Sequence, residues 1–240
     1  MAEKDGMDAG IREALAGCST ATITMQLLKR GLRATAMRGV APLAPGQGRV
    51  VGEAYTVRFI PMREDLSDPA ILSARENPQR RAIDECPEGA VLVVDGLGNG
   101  NVGTLGDILA ERLRVRGVAG CVTDSAVRDA EAVIATGLPV WSNGRAAPPN
   151  ITGLAMGDLQ TPIGCGGVAV IPGDIVVCDG DGVVVIPRAM AESVATDGVE
   201  QERLETFVQE RIRAGHPVAG TYPPNEETLA AYEAWKQARS

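Results

Sequence analysis

Histidine and lysine are nearly missing from this chain of 240 residues: the histidine is His216, and the lysines are Lys4, Lys29 and Lys236, all in terminal segments. One imidazole near a terminus leaves histidine-ligated zinc and a Ser-His-Asp triad almost no material. A Schiff-base lysine deep in a core and a GxxxxGK(S/T) phosphate loop are missing as well. Cysteines are five and scattered (Cys18, Cys86, Cys121, Cys165 and Cys178), with no CxxC spacing. That pattern argues against a zinc or redox pair and reads as reduced, mostly buried thiols of a cytoplasmic protein. Basic residues number 23 against 31 acidic ones and are dispersed, so a formal charge of −8 offers no track for a nucleic-acid backbone. No stretch approaches the roughly 18 uninterrupted apolar residues of a membrane span, and MAEKDGMDAG at the N-terminus has no apolar signal core. Chemistry is left to carboxylates, arginine, backbone amides and a bound metal.

An apolar content of 45% supports a sizeable core, and the length fits one domain over 1–240 with helical extensions at both ends. Residues 8–17 and 20–31 read as helices, the second opening at Ser19-Thr20 and closing at Gly31. A proline- and glycine-bearing loop over 33–47 precedes RVVGEAYTVRFI, one or two strands with Gly52 as a candidate bulge. Ser67-Asp68-Pro69 marks a helix start. From residue 89 the pattern turns α/β: GAVLVVDG is a strand covered on both faces, then come a helix near 107–116, the strand GVAGCVTD, a helix near 127–136 and the strand LPVWSNG. Such alternation favours a partly parallel sheet. Residues 166–187 read as three strands of an antiparallel meander, and 189–214 and 224–239 as charged helices. This C-terminal extension, 189–240, either makes oligomer contacts or covers the sheet.

Asp95, Asp124 and Asp179 each end an apolar strand, where ligands bind in open α/β sheets. For Asp179 a turn role is favoured; for Asp124 the choice stays open. Asp107 follows Gly106 at a helix start, so alone it reads as a first-turn residue. The loop from Gly100 to Gly106 nevertheless allows close backbone approach, and amides of Ile108 and Leu109 can take a carboxylate. Arg128-Asp129 follows a buried strand directly. As a site, Arg128 donates paired hydrogen bonds to a 2-oxo acid while Asp129 binds Mg2+ or Mn2+; as surface, the two form a solvated ion pair of little energetic weight.

These residues make the chain resemble the 4-hydroxy-4-methyl-2-oxoglutarate aldolase family, also called RraA-like. Its elements occur in order: Ser19-Thr20-Ala21-Thr22, LVVD at 92–95, Gly106-Asp107, RGVAGCVTDSAVRD at 116–129, LPV at 138–140, GVAVIPGDIVVCDGDGVVVIPR at 167–188 and a charged C-terminal helix, together covering most of 15–215. The resemblance implies an α/β fold of the β/β/α swivelling-domain-like kind and a homotrimer or a hexamer built as a dimer of trimers. It implies a class II, metal-dependent lyase that cleaves a 4-hydroxy-2-oxo acid, such as 4-hydroxy-4-methyl-2-oxoglutarate, to pyruvate and a second carbonyl compound, with oxaloacetate decarboxylation as a side activity. Arg128 is carried over as the pyruvate-binding residue, Asp129 as the metal ligand, Asp107 as a water-holding acid and Gly106, Ile108 and Leu109 as the carboxylate cradle. A catalytic glutamate from the neighbouring subunit falls on Glu202 or Glu205.

Ser125 stands where glycine is common in the family, which would narrow or repolarise the pocket, and Gln209 stands where arginine is common. One branch of the family regulates a ribonuclease without catalysis and often lacks the aspartate after the arginine; Asp129 is kept here and favours an enzyme. The remaining alternatives are another metal-dependent decarboxylase or isomerase of 2-oxo or sugar-derived acids. A methyltransferase lacks its glycine-rich nucleoside site.

Overall fold

The computed structural model describes residues 6–67, 70 and 77–239; the helix expected from Ser67-Asp68-Pro69 onward lies outside them. In chain order the elements are α1 (Ala9–Ala16), α2 (Thr20–Lys29), β1 (Ala41–Pro42), β2 (Val50–Pro61), α3 (Pro78–Glu85), β3 (Val91–Asp95), β4 (Gly103–Leu105), α4 (Asp107–Val115), β5 (Gly120–Thr123) and β6 (Ala126–Val127). They continue with α5 (Ala130–Thr136), β7 (Val140–Ser142), β8 (Leu154–Leu159), β9 (Ile163–Cys165), β10 (Val168–Val170), β11 (Ile175–Asp179), β12 (Gly182–Ile186), α6 (Ala191–Arg213) and α7 (Glu226–Gln237).

The main sheet is mixed, in the order β1-β7-β5-β3-β2-β11-β12, with β8 also paired to β2. β2 forms the hinge of this arrangement. Its first residues pair antiparallel with β11, its middle pairs parallel with β3, and its end pairs antiparallel with β8. β3, β5 and β7 continue the parallel part, as the α/β alternation predicts. Gly52 is not a bulge: it keeps regular register opposite Val176, and the register shift in β2 lies between Val57 and Phe59. Glycine is needed at 52 because a Cβ there would stand 2.7 Å from the Gly89 carbonyl oxygen.

Alternation along the strands divides the core. Leu92 and Val94 of β3 pack with Ala110 and Leu113 of α4 and Val133 of α5, whereas Val91 and Val93 face Trp141, Val170 and Val176. A fully buried strand thus needs an apolar residue at every position, which explains the uninterrupted run. Each fully buried leucine of this layer contributes about 1.5–3 kcal/mol relative to exposure. Beyond β11 and β12, α1, α2 and the start of α6 cover the outer face through Leu15, Ile23, Leu27, Val184 and Val194.

The three-stranded meander is corrected to a different pairing. β11 and β12 form one hairpin, but β10 pairs with β9, across a two-residue turn in which Gly166 (φ 56°) and Gly167 (φ 76°) are both left-handed. The helix expected from 127 starts at Ala130, because Ala126–Val127 pair with β4 as β6 and Asp129 takes φ 51°. The C-terminal extension covers the sheet only through the start of α6. Ala191, Val194 and Ala195 of α6 cover the sheet, while Phe207 and Val208 further along build a separate small core with Tyr232 of α7.

Candidate active site

The parallel pair β4 and β6 carries the site. At its end Gly106 takes an extended conformation and α4 begins without a side-chain cap. The first helical hydrogen bond runs from the Ala110 amide to the Gly106 carbonyl, which leaves the amides of Ile108 and Leu109 outside the helix ladder. These amides and the helix dipole favour an anion at this end. The Ile108 side chain itself is 77% exposed, whereas Leu109 packs against the core.

Opposite this helix end, the Arg128 amide donates to the Leu105 carbonyl at 2.8 Å, which fixes the arginine backbone on β4. Its Nε is buried and has no hydrogen-bond partner among the described residues. Leaving such a donor unmatched costs on the order of 1–3 kcal/mol, so it marks a place where a ligand supplies the acceptor. Asp129 follows in the left-handed region (φ 51°, ψ 40°), and its side chain makes no capping bond to α5. One carboxylate oxygen lies 3.5 Å from where a Cβ on Gly106 would stand, directly over the start of α4. An exposed carboxylate in a conformation that disfavours most residues is unusual for a cap and suits a ligand.

Gly106, Asp107, Ile108, Leu109, Arg128 and Asp129 line one cleft of ≈ 330 Å³. Buried polar residues also sit in its wall, among them Gln79 at the start of α3 and Asn150. No periodicity or motif in the sequence links them.

Glu202 and Glu205 do not reach this cleft within the chain. Glu202 accepts the Ser19 amide at 2.7 Å, and although burial works against ionisation, the hydrogen bonds from Ser19 and Thr22 hold its carboxyl below the ordinary range. Glu205 accepts from Gln201 at 2.8 Å and lines a separate groove of ≈ 750 Å³ between α2, α6 and Tyr222.

The strand-end aspartates turn out to be structural ties. Asp95 accepts the amides of Leu97 and Gly164, and Asp124 those of Gly96 and Gly166. Asp179 accepts both the amide and the hydroxyl of Thr20. Burial pushes the Asp124 carboxyl up from its ordinary value, against the pull of its amide donors. Ser125 is corrected too. It is fully buried, its hydroxyl lies 2.6 Å from the Asn99 carbonyl and 2.8 Å from that of Val102, and it does not line the cleft. All five cysteines are free and buried, and burial pushes the Cys18 thiol up to about 11 and Cys86 to about 12, which removes them as thiolate nucleophiles. Among the described residues no helix is long and apolar enough to cross a membrane.

The profile of the RraA-like family, described as Aldolase/RraA, matches residues 10–185. A protein of Halalkalibacterium halodurans provisionally named 4-hydroxy-4-methyl-2-oxoglutarate aldolase is 38% identical over 115 residues, 48% of this chain and 54% of that protein. Protein DlpA of Legionella pneumophila is 27% identical over 213 residues, 89% of this chain and 33% of DlpA. The chain thus spans about half or less of the length of these curated relatives. Among solved structures, Streptomyces coelicolor RraAS2, titled an unusual member of the RNase ES inhibitor RraA family, superposes with a TM-score of 0.76 at 32% identity, covering 86% of this chain and 99% of that one. An uncharacterised Pseudomonas syringae protein gives a TM-score of 0.81 at 26% identity over 94% of this chain and 98% of its own. On the extent of the profile match and the shared α/β architecture, this chain belongs to the RraA-like family.

Proposed function

We propose that the cleft at Arg128 is the active site of a metal-dependent class II aldolase that cleaves a 4-hydroxy-2-oxo acid, such as 4-hydroxy-4-methyl-2-oxoglutarate, into pyruvate and a second carbonyl compound. The observation that carries this reading is the buried, unmatched Nε of Arg128 facing an uncapped helix end across a free carboxylate.

The donor set fits a hard cation of the Mg2+ or Mn2+ kind. Among the described residues no three His, Cys, Asp or Glu side chains gather into a cage. Magnesium commonly takes only one or two protein carboxylates and keeps its waters, and Asp129 offers one, held over Gly106 with no competing bond. Asp129 would hold the cation, which when bound supplies positive charge to polarise the 2-oxo acid.

The chain's own groups account for the remaining steps. Amides of Ile108 and Leu109 receive the substrate carboxylate, and Arg128 donates to the carboxylate and ketone oxygens. Asp107 holds a water that takes the proton from the C4 hydroxyl. The C3–C4 bond then breaks, its electron pair passing toward the C2 carbonyl, and C4 leaves as a carbonyl. Arg128 stabilises the resulting enolate charge until water protonates C3 and pyruvate forms. Oxaloacetate decarboxylation passes through the same enolate and follows as a side activity. Of the two C-terminal glutamates, Glu205 is the better candidate to complete the site of a neighbouring subunit in a trimer, since Glu202 is tied to the backbone amide of Ser19 on another element, whereas Glu205 is bonded only to the Gln201 side chain one turn away on its own helix.

The test is pyruvate release from a panel of 4-hydroxy-2-oxo acids and oxaloacetate, coupled to lactate dehydrogenase, with and without chelator. Activity restored by magnesium and lost in Arg128→Ala is expected. Near-normal turnover of Arg128→Ala would overturn the scheme. The Streptomyces likeness favours one second reading, a ribonuclease inhibitor without turnover; it is supported only if a ribonuclease co-purifies and every substrate in the panel stays intact.

A further inference from the structure

Gln79 and Asn150 are separated by 71 positions, yet they form a directed chain of hydrogen bonds in the wall of the cleft. Gln79 Nε2 donates to the Thr104 carbonyl at 2.6 Å, so its Oε1 must point the other way. Asn150 Nδ2 donates to that Oε1 at 3.1 Å, and Asn150 Oδ1 accepts the Ile151 amide at 3.0 Å. A backbone carbonyl at one end and a backbone N–H at the other thus fix both amide groups in one orientation. Flipping either would set oxygen against oxygen at Thr104 or nitrogen against nitrogen at Ile151.

Each oxygen accepts one bond of this chain, Gln79 Oε1 from Asn150 and Asn150 Oδ1 from the Ile151 amide. Each NH2 group has a second hydrogen that no described residue takes, and both groups are held in buried side chains, 8% and 7% exposed. Neither side chain can swing away to find solvent without breaking a bond to the backbone. The wall therefore presents two buried N–H hydrogens that no described residue takes. The same wall is anchored to the catalytic strand, since the Gly103 amide donates to the Pro148 carbonyl at 2.9 Å, two residues before Asn150.

We propose that Gln79 and Asn150 form the subsite for the distal end of the substrate, selecting 2-oxo acids whose far end carries a carboxylate. This rests on the aldolase reading, in which Arg128 and the start of α4 hold the 2-oxo acid end. An apolar distal group would leave two buried N–H donors unmatched, whereas a carboxylate satisfies both.

Two uncleavable five-carbon probes test this, 2-oxoglutarate and 2-oxopentanoate, which differ only in the terminal carboxylate. Their binding to the whole protein with magnesium is measured by calorimetry, with pyruvate as the control for the 2-oxo acid end. The wild-type chain is expected to bind 2-oxoglutarate roughly tenfold to a hundredfold more tightly than 2-oxopentanoate, the difference charged hydrogen bonds make. Gln79→Met and Asn150→Ala are each expected to erase that preference while pyruvate affinity stays unchanged. Equal binding of the two probes by the wild type, which needs no folded variant, overturns the subsite, as does a preference kept in both variants. Pyruvate binding that is lost in Arg128→Ala while the probes bind equally sinks the subsite alone. Pyruvate that does not bind, or that binds Arg128→Ala normally, sinks the aldolase reading and the subsite with it.

Discussion

A Cβ atom on Gly103 would stand 2.2 Å from Cγ of Arg128 and 2.8 Å from its backbone nitrogen, so β4 and the arginine meet at a point that only a hydrogen can occupy. The left-handed region is not involved; the requirement is space. Alanine at 103 must push the Arg128 side chain away from the start of α4. A misplacement of about 1 Å in a catalytic group costs on the order of a hundredfold in rate. Gly103→Ala is expected to lower kcat/KM for pyruvate release by about that factor while the circular dichroism spectrum stays that of the parent. Wild-type turnover by this variant would show that Arg128 does not need its present position.

Beside the cleft, β3 and the start of α4 are readable because each has a local cause, whereas β4 reads as a glycine loop and β6 as the start of a helix. VLVV is apolar throughout since both faces of β3 are covered, and Gly106-Asp107 announces a helix start through backbone geometry. Arg128-Asp129 could be placed at a strand end for the same reason. What the residues could not reveal were relations between distant segments. Gln79 and Asn150 lie on a short α-helix and a single 3-10 turn, with nothing in either neighbourhood that indicates the other. From sequence Ser125 reads as a pocket residue, because its side-chain direction depends on the loop at 99–102 folding back over it. The pairing of β10 with β9 rather than β11 is likewise decided by a two-glycine turn, not by strand composition.

Ser125 has its own test. Its buried hydroxyl serves the carbonyls of Asn99 and Val102, and its Cβ fills the space beside Gly96, where an added Cβ would stand 2.4 Å away. Ser125→Ala removes the donor and keeps the packing, so it should cost about 1–3 kcal/mol in urea unfolding without altering the ratio of rates among substrates. Gly96→Ala should be severely destabilising in the Ser125 background and much milder in Ser125→Gly, because the two positions share one space. Additive effects in that double-mutant cycle, or a changed substrate ratio in Ser125→Ala, would contradict this account.

Acid stability should divide between two aspartates of opposite sign. For Asp179, burial raises the carboxyl, but the Thr20 hydroxyl and amide, the Asp181 amide and nearby Arg49 outweigh it and hold the folded value below the ordinary 3.8. A depressed value stabilises the fold above 3.8, and that contribution is lost as pH falls through the folded value. Asp124 is raised by burial instead, so its ionisation disfavours the fold increasingly as pH climbs above 3.8. Urea midpoints measured from acid to neutral pH should therefore show the deficit of Asp179→Asn shrinking toward low pH, and Asp124→Asn improving relative to wild type toward neutral pH. Parallel curves for all three proteins would refute both assignments.

Asp129 gives the most direct test of the metal, and the choice of substitution matters. Its left-handed backbone, φ 51°, is tolerated by Asn nearly as well as by Asp, whereas alanine would add a conformational cost of about 1–2 kcal/mol unrelated to any ligand. Because the side chain makes no capping bond, Asp129→Asn removes the charge and leaves the helix start as it was. With one carboxylate as the principal protein ligand, the variant is expected to lose at least about tenfold in Mn2+ affinity, read by electron paramagnetic resonance of the free ion. Its thermal midpoint without metal should equal that of the parent, and the midpoint rise on adding Mn2+ should be confined to the parent, since a ligand stabilises only the state that binds it. Unchanged Mn2+ affinity in D129N would place the cation elsewhere, and Asp107, across the same helix start, would then be the carboxylate to substitute.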